Sequence, residues 1–405
     1  MLFFVISGYA LSFKPLSLLQ NEQQHLKMYQ TLASSIFRRH PRLFIPAVII
    51  CSPAPLIAYL GGYGGSQGDG GGGGEGMPGA AIQPMNPPRY DTFWEQLGDY
   101  VRTFIGLSDV YSPNGLNWVY SDSLWTLPIE FKSSLVIFSM LAALSRCTSR
   151  ARAVIATIVA FYSLWYFHWG EFLFIGGMLI VDLSLQFREQ SARCCVTAGT
   201  ALNTVADDRD DDVDDDNDGV GTPHRRKGTV YISFLRSRGL RWLCATIAFL
   251  AGLFILSMPQ QSRGAGDSWG FKTLSAVIPA HFHAGGAADY FWQPLAAVFL
   301  VLVINSAGFL RRIFTTPLAQ YLGRISFALY LVHMLILHSL GFWLGKTFLA
   351  LTGSKPGWQY GSGIFMAAIT VGCVIIYIAD LSARFVDAKA VQFTSWAYEY
   401  LCSPT

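Results

Sequence analysis

Apolar residues along this chain are gathered into blocks, several close to the ~20 residues that carry a helix across a hydrocarbon core. The pattern predicts helices over about Leu43–Leu60, Trp125–Leu144, Ala153–Phe167, Gly170–Leu183, Leu240–Met258, Phe291–Leu310, Ile325–Leu344 and Gly361–Leu381. Ala153–Phe167 is short and reaches the interface through Trp165, Tyr166 and Trp169. Met1–Phe13 is apolar but too short to cross alone, and reads as the inner part of a further span. The fold class expected is therefore all-α, a polytopic transmembrane helix bundle of about 8–9 spans.

Long polar connections interrupt the blocks. Residues 61–89 are rich in glycine, with runs at Gly61–Gly65 and Gly70–Gly74, and read as a flexible tether. After it Phe93, Trp94, Leu97, Tyr100, Val101 and Phe104 recur at helical spacing, predicting a short helix that caps the bundle or lies on the membrane. Residues 184–239 form a second insertion, with an acidic run at Asp207–Asp218. Within that run Asp214-Asp215-Asp216-Asn217-Asp218-Gly219 matches the opening of a calcium-binding loop, but Arg225 stands where the bidentate glutamate belongs. A solvated acidic segment is the expectation there, and the whole of 1–405 is read as one membrane domain carrying these two insertions.

Charge gives the bundle a direction. Of 29 Lys and Arg residues, 22 fall in alternate connections, among them Lys14, Arg38, Arg39, Arg42, Arg146, Arg225, Arg311 and Arg384, while six fall in the others. Positive residues stay on the cytoplasmic side, so this asymmetry predicts an integral, multi-pass protein with a cytoplasmic C-terminus. The net charge of +3, with charged residues only 14% of the chain against 52% hydrophobic, offers no basic face for nucleic acid. Seven cysteines without C-x-x-C spacing indicate neither zinc nor a disulfide framework; Cys194-Cys195 reads as ordinary thiols or a palmitoylation site.

Ionisable groups inside spans are costly, and so mark candidate chemistry. Glu130 lies about 9 Å into its helix at 1.5 Å per residue. It is placed to act as a base, to orient another group, to bind a polar substrate, or to pair with a neighbouring helix. Lys132, two residues on, points to another face and is read as snorkelling. His333 sits mid-span and is either a packing residue or a functional one; His338 is a weaker candidate of the same kind. His281 and His283 alternate as metal ligands on a strand would, but lack a third ligand, so no metal site is assigned.

Four motifs in order resemble the acyltransferase 3 family of membrane enzymes that acylate hydroxyl groups on carbohydrates and other acceptors. They are Phe3-Phe4-Val5-Ile6-Ser7-Gly8, Arg38-Arg39-His40-Pro41-Arg42, Leu124-Trp125-Thr126-Leu127-Pro128-Ile129-Glu130, and Gly323-Arg324-Ile325-Ser326 with Tyr330-Leu331-Val332-His333. The resemblance implies a bundle of about ten spans. It would move an acyl group, acetyl foremost, from acyl-CoA as co-substrate to an acceptor hydroxyl, with no permanently bound cofactor and with membrane lipids as neighbours. It implies catalytic roles for Glu130 and His333, and contacts from Arg38, Arg39 and Arg42 to the anionic phosphates of CoA. For those arginines, topology and lipid headgroups are the competing reading. The family's first span carries an Arg and a His, and here nothing precedes Met1; His25 and His40 lie in a loop and do not replace that histidine. The expectation is therefore a longer parent chain, with an inactive family member as the alternative.

Two other classes compete. A transporter or lipid-handling protein would show an internal repeat with matching broken helices, whereas Pro128 beside Glu130 is the one suggestive break. A scaffold would present the acidic insertion to basic partners. No feature of the sequence sets an oligomeric state. Accessibility reporters at residues 75 and 210 are expected to label from opposite sides of the membrane; labelling from one side would overturn this topology.

Overall fold

A computed structural model describes residues 1–20, 24–64, 86–110, 119–121, 123–207, 238–260, 264 and 268–402, without the side chains of 191–207 and 238. Among the described residues the chain is helical, with no strand. The first helix is α1 (Leu2–Leu19), followed by α2 (His25–Cys51), α3 (Ala54–Tyr59), α4 (Phe93–Ser108), α5 (Thr126–Ala143), α6 (Ser149–Trp165), α7 (Trp169–Asp207) and α8 (Arg238–Leu256). Two short helices, α9 (Lys272–Ala276) and α10 (Ala280–Ala284), lead into α11 (Asp289–Ser306) and α12 (Gly308–Phe314). After α13 (Pro317–Ile336) a single π-helical turn continues into α14 (Phe342–Thr352), and α15 (Trp358–Ser382) passes in the same way into α16 (Ala388–Cys402).

Eight of these helical runs among the described residues are long and apolar enough to cross a membrane. The expected all-α polytopic bundle is thus the observed one. The exception among the expected spans is α6, whose 17 residues reach about 26 Å at 1.5 Å per residue, short of a ~30 Å core.

Several boundaries differ from the expectation, three of them as follows. Helix α1 runs on through Pro15 to Leu19 rather than ending near Phe13. Helix α2 begins at His25, so His25 and His40 are helical rather than in a loop; Leu26, Lys27, Met28, Gln30, Leu32 and Ala33 are good helix formers whatever their polarity. Helix α7 continues past Ser184 to Asp207, because Leu185–Gln190 favours helix although it is too polar to extend an apolar block. The acidic stretch from 208 onward and the glycine-rich residues 65–85 lie outside the described residues. The described start of that glycine-rich connection is tied down: the Gly64 N–H donates to His338 O at 2.7 Å and the Tyr63 hydroxyl to Tyr120 O at 3.0 Å.

The contacts divide the chain into two units. The first comprises residues 1–28 and 136–312. Its tightest seam joins α1 to α7: a Cβ on Gly8 would collide with the Phe174 backbone, and one on Gly177 with Val5 O and Tyr9 N. Small residues let membrane helices approach in this way, replacing hydrophobic drive with dispersion contacts. Phe4 closes the seam edge-on to Trp169 (5.3 Å between centroids) and Phe174 (5.9 Å).

The second unit comprises residues 29–135 and 313–405. Leu43, Phe44, Ala47 and Cys51 of α2 pack there with Tyr100 and Leu107 of α4, Leu124 and Leu127 at the start of α5, and Leu331 and Leu335 of α13. The predicted capping helix is α4, opened by a capping box in which Thr92 accepts from Glu95 N and Glu95 from Thr92 N. Of the apolar residues at helical spacing, Tyr100 is buried and Leu97 and Phe104 pack against the core, while Trp94 and Val101 are exposed. Gln96 is fully buried whereas Trp94 is 77% exposed, because Gln96 bonds Pro88 O, Tyr90 N and the Tyr120 hydroxyl. The Tyr120 hydroxyl in turn donates to Asp99 Oδ2 at 2.8 Å. Burial first, then that bond to Asp99, pushes the Tyr120 phenol above the usual tyrosine range and keeps it a donor.

Gly8→Leu is expected to force α1 off α7 and destabilise the protein by about 1–3 kcal/mol, the range for overpacking. A detergent-denaturation midpoint equal to the parent's would refute that seam.

Candidate active site

In the second unit the cationic turn of α2 meets α5. Residues 38 to 42 carry four basic side chains within little more than one turn, so they splay around the helix and meet different fates. Arg39 points inward and pairs with Glu130, Nη2 to Oε1 at 2.8 Å, with the two side chains 11% and 5% exposed. Arg38 turns toward α16, donating from Nε to Ser34 O at 3.1 Å and from Nη1 to Ser395 Oγ at 3.2 Å. Phe37 packs alongside against Tyr398, ring centroids 5.5 Å apart. Arg42 is exposed, and its charge reaches Asp387 in the turn before α16. His40 is also exposed and stacks on Phe44 at 4.5 Å.

The expected site residues are therefore partly brought together. Arg39 and Glu130 form one buried pair, with Arg38 and Arg42 on flanking faces of the same turn. Burying two charges is favourable only when they are paired, and removing one partner of such a pair typically costs about 3–5 kcal/mol. One donor is left over: Arg39 Nε is buried and has no hydrogen-bond partner among the described residues.

Helix α13 supplies the other half. The Tyr330 hydroxyl bonds both the Ser123 carbonyl and the Thr126 hydroxyl, fastening α13 to the start of α5 one turn before Glu130, and the charge of Glu130 reaches that hydroxyl. His333, half-buried, holds Tyr330 O through Nδ1 at 2.7 Å. A carbonyl oxygen only accepts, so Nδ1 carries the proton and, in the neutral ring, Nε2 is left with a lone pair. A histidine arranged in this way can take a proton from a hydroxyl and return it.

Sequence reasoning passed over two things. Tyr330, Ser123 and Thr126 stand inside the quoted motifs but carried no assigned role, because which hydroxyl meets which carbonyl is decided across helices. Asp182 lies within the predicted span Gly170–Leu183 and makes the second buried ion pair, with Arg152 of α6 at 2.5 Å; as a carboxylate in an apolar block it was findable by the reasoning that found Glu130. His281 and His283 sit on the short helix α10 rather than on a strand, and the His281 ring stacks between Trp165 (4.6 Å) and Phe167 (4.8 Å). Among the described residues no cluster of three potential metal ligands occurs.

An all-helical bundle with membrane-length apolar spans, an ion pair buried between two of them and a half-buried histidine on a third fits a class, the integral membrane enzyme working on a polar group. The particular family follows from comparison: residues 1–378 match the model of the acyltransferase 3 domain, and this chain belongs to that family. It is 35% identical over 412 residues to the O-acetyltransferase PaAT-1 of Phomopsis amygdali, a match covering 99% of this chain and 74% of that protein. Acyltransferase clz18 of Cochliobolus lunatus is 21% identical, over 96% of this chain and 77% of its own length. Acyltransferase R4 of a Phoma species is 20% identical, over 96% and 78%. No solved structure matches the chain. The protein is a membrane O-acyltransferase.

In a double-mutant cycle on Arg39→Ala and Glu130→Ala, unfolded with dodecyl sulfate in mixed micelles, each single change is expected to cost about 3–5 kcal/mol, and the double change clearly less than their sum. Additive costs would show that the pair is not coupled.

Proposed function

We propose that the chain transfers an acyl group, acetyl foremost, from acyl-CoA to a hydroxyl of a carbohydrate or other small acceptor. The observation that supports this most directly is the His333 ring, whose Nδ1–H is committed to Tyr330 O. In this reading Nε2 takes the proton of the acceptor hydroxyl as its oxygen bonds to the thioester carbonyl carbon. The tetrahedral intermediate then expels the CoA thiolate, which takes the same proton back, leaving an ester and free CoA. The carbonyl oxygen gathers negative charge in between and needs a donor. Arg39 Nε–H, buried and unspent, is the donor we assign to it. Glu130 then acts as a positioning residue that holds the Arg39 guanidinium in place.

The phosphates of CoA fall to Arg42, exposed at the same turn, with Arg38 beside it, since Arg39 is committed inward. This division refines the expectation that all three arginines bind phosphate. It also fits the basic connections facing the cytoplasm, where acyl-CoA is available. The name of the Phomopsis relative, an O-acetyltransferase, favours acetyl as the group carried.

His333→Gln, assayed in the full-length protein with acetyl-CoA and a hydroxyl acceptor, is expected to lower kcat by about 10²–10⁴-fold, the usual worth of a general base, with little change in KM. Glu130→Gln is expected to abolish transfer while leaving membrane insertion intact. Undiminished transfer by either variant would sink the corresponding assignment.

A further inference from the structure

The first unit holds a cleft of about 650 Å³ that the acyl-transfer reading does not use. Its walls are the end of α1 at Gln20, the start of α2 at His25, the connection from α5 to α6 at Arg146, and the first turn of α6 at Thr148, Ser149 and Arg152, with Glu189 of α7 on the rim. The hydrogen-bond accounting of this lining is lopsided. Thr148 Oγ1 accepts from Ala151 N at 3.4 Å, and Ser149 Oγ from Arg152 Nη2 at 3.4 Å, so both hydroxyl protons are left to donate.

Arg152 is itself only 7% exposed. It spends Nε (3.1 Å) and Nη2 (2.5 Å) on Asp182, and its Nη1 edge has no partner among the described residues. Arg146 makes neither a hydrogen bond nor an ion pair among the described residues, and His25 Nδ1 is buried without a hydrogen-bond partner. The first-turn amides of the 17-residue helix α6 add their partial positive charge. The carboxylates are already in use: Asp182 faces Arg152, and Glu189 has an interaction of its own. A lining rich in donors and cations, with its acceptors occupied, is complementary to a ligand that only accepts and is negatively charged.

We infer that this cleft is a binding site for a phosphate group borne by a larger molecule, either a phospholipid headgroup or a soluble nucleotide phosphate. The volume favours an esterified phosphate over a bare ion, lying in the ~300–1,000 Å³ range of ligand pockets. Arg146, exposed and without an ion pair among the described residues, is the adjustable clamp, whereas Arg152 is held by Asp182 and presents a fixed edge. The inference is independent of how acyl transfer is catalysed.

Full-length protein purified in maltoside detergent would be titrated with short-chain phosphatidylinositol, with short-chain diacylglycerol as its phosphate-free control, and separately with uridine 5′-monophosphate, which carries neither the base nor the bisphosphate of CoA. The parent protein is expected to bind the lipid or the nucleotide but not diacylglycerol. Arg146→Gln should weaken that binding at least ~10-fold, the loss of one charge-assisted contact, while Arg150→Gln, an exposed arginine on the same turn of α6, leaves it unchanged. Lipid binding alone marks a headgroup site and nucleotide binding alone a soluble-ligand site. If Arg146→Gln is poorly folded, Ser149→Ala tests the same claim by removing a donor from the wall. Binding of neither phosphate probe, or equal weakening by Arg146→Gln and Arg150→Gln, would overturn the inference.

Discussion

A charge carried into an apolar helix has to find its counter-charge inside the protein, because the surrounding hydrocarbon offers none. Among the described residues each unit shows a buried arginine–carboxylate pair that meets this constraint: Arg152 with Asp182 in the first, Arg39 with Glu130 in the second. In both, the carboxylate belongs to a membrane-length helix and the arginine approaches from a basic stretch of a neighbouring helix, mid-helix in α2 for Arg39 and in the first turn of α6 for Arg152. A guanidinium suits this geometry, since its long stem covers apolar surface while its planar fork meets the carboxylate. The two pairs differ in what is left over. Among the described residues Arg39 keeps a buried Nε–H without a partner, and Arg152 keeps an Nη1 edge at the wall of a cleft.

Around the second pair the polar groups form a chain of dependence. Tyr330 anchors α13 to the first turn of α5, and the same residue's carbonyl sets the tautomer of His333. On the other side of that segment Tyr120, held by Gln96 and Asp99 of α4, fixes the approach to α5. The helix carrying Glu130 is thus tied at its start by hydroxyls from two directions. A low-dielectric setting strengthens such bonds and makes their loss costly, which suits a site whose chemistry depends on positions. An aromatic hydroxyl serves well in these roles because its body packs like any apolar ring while its tip donates and accepts.

Local pattern and tertiary arrangement divided the information between them. Apolar blocks of membrane length, the loop bias of Lys and Arg, and four motifs in order were all legible in the chain, because each depends on residues close together in sequence. Glu130 and His333 stood out for the same reason, as polar groups in apolar runs. Helix lengths were less legible. Hydropathy sees where a helix stops being apolar, not where it stops being helical, so α2 and α7 extend well into polar sequence.

Only the tertiary structure decided which of three neighbouring arginines turns inward, since one turn of helix sends Arg38, Arg39 and Arg42 in different directions and packing selects among them. It decided that Gln96 rather than Trp94 faces the core, because a buried amide is stable only where its hydrogen bonds are met, here by Pro88 O, Tyr90 N and the Tyr120 hydroxyl. It also drew Arg152 onto Asp182 and left Arg146 without an ion pair among the described residues, an asymmetry that no local spacing encodes. The sequence by itself determined the class of fold, the family and the residue types available for chemistry, all of which follow from composition and short-range order. Their pairing was decided by contacts across helices, where geometry and desolvation choose one partner among several of equal charge.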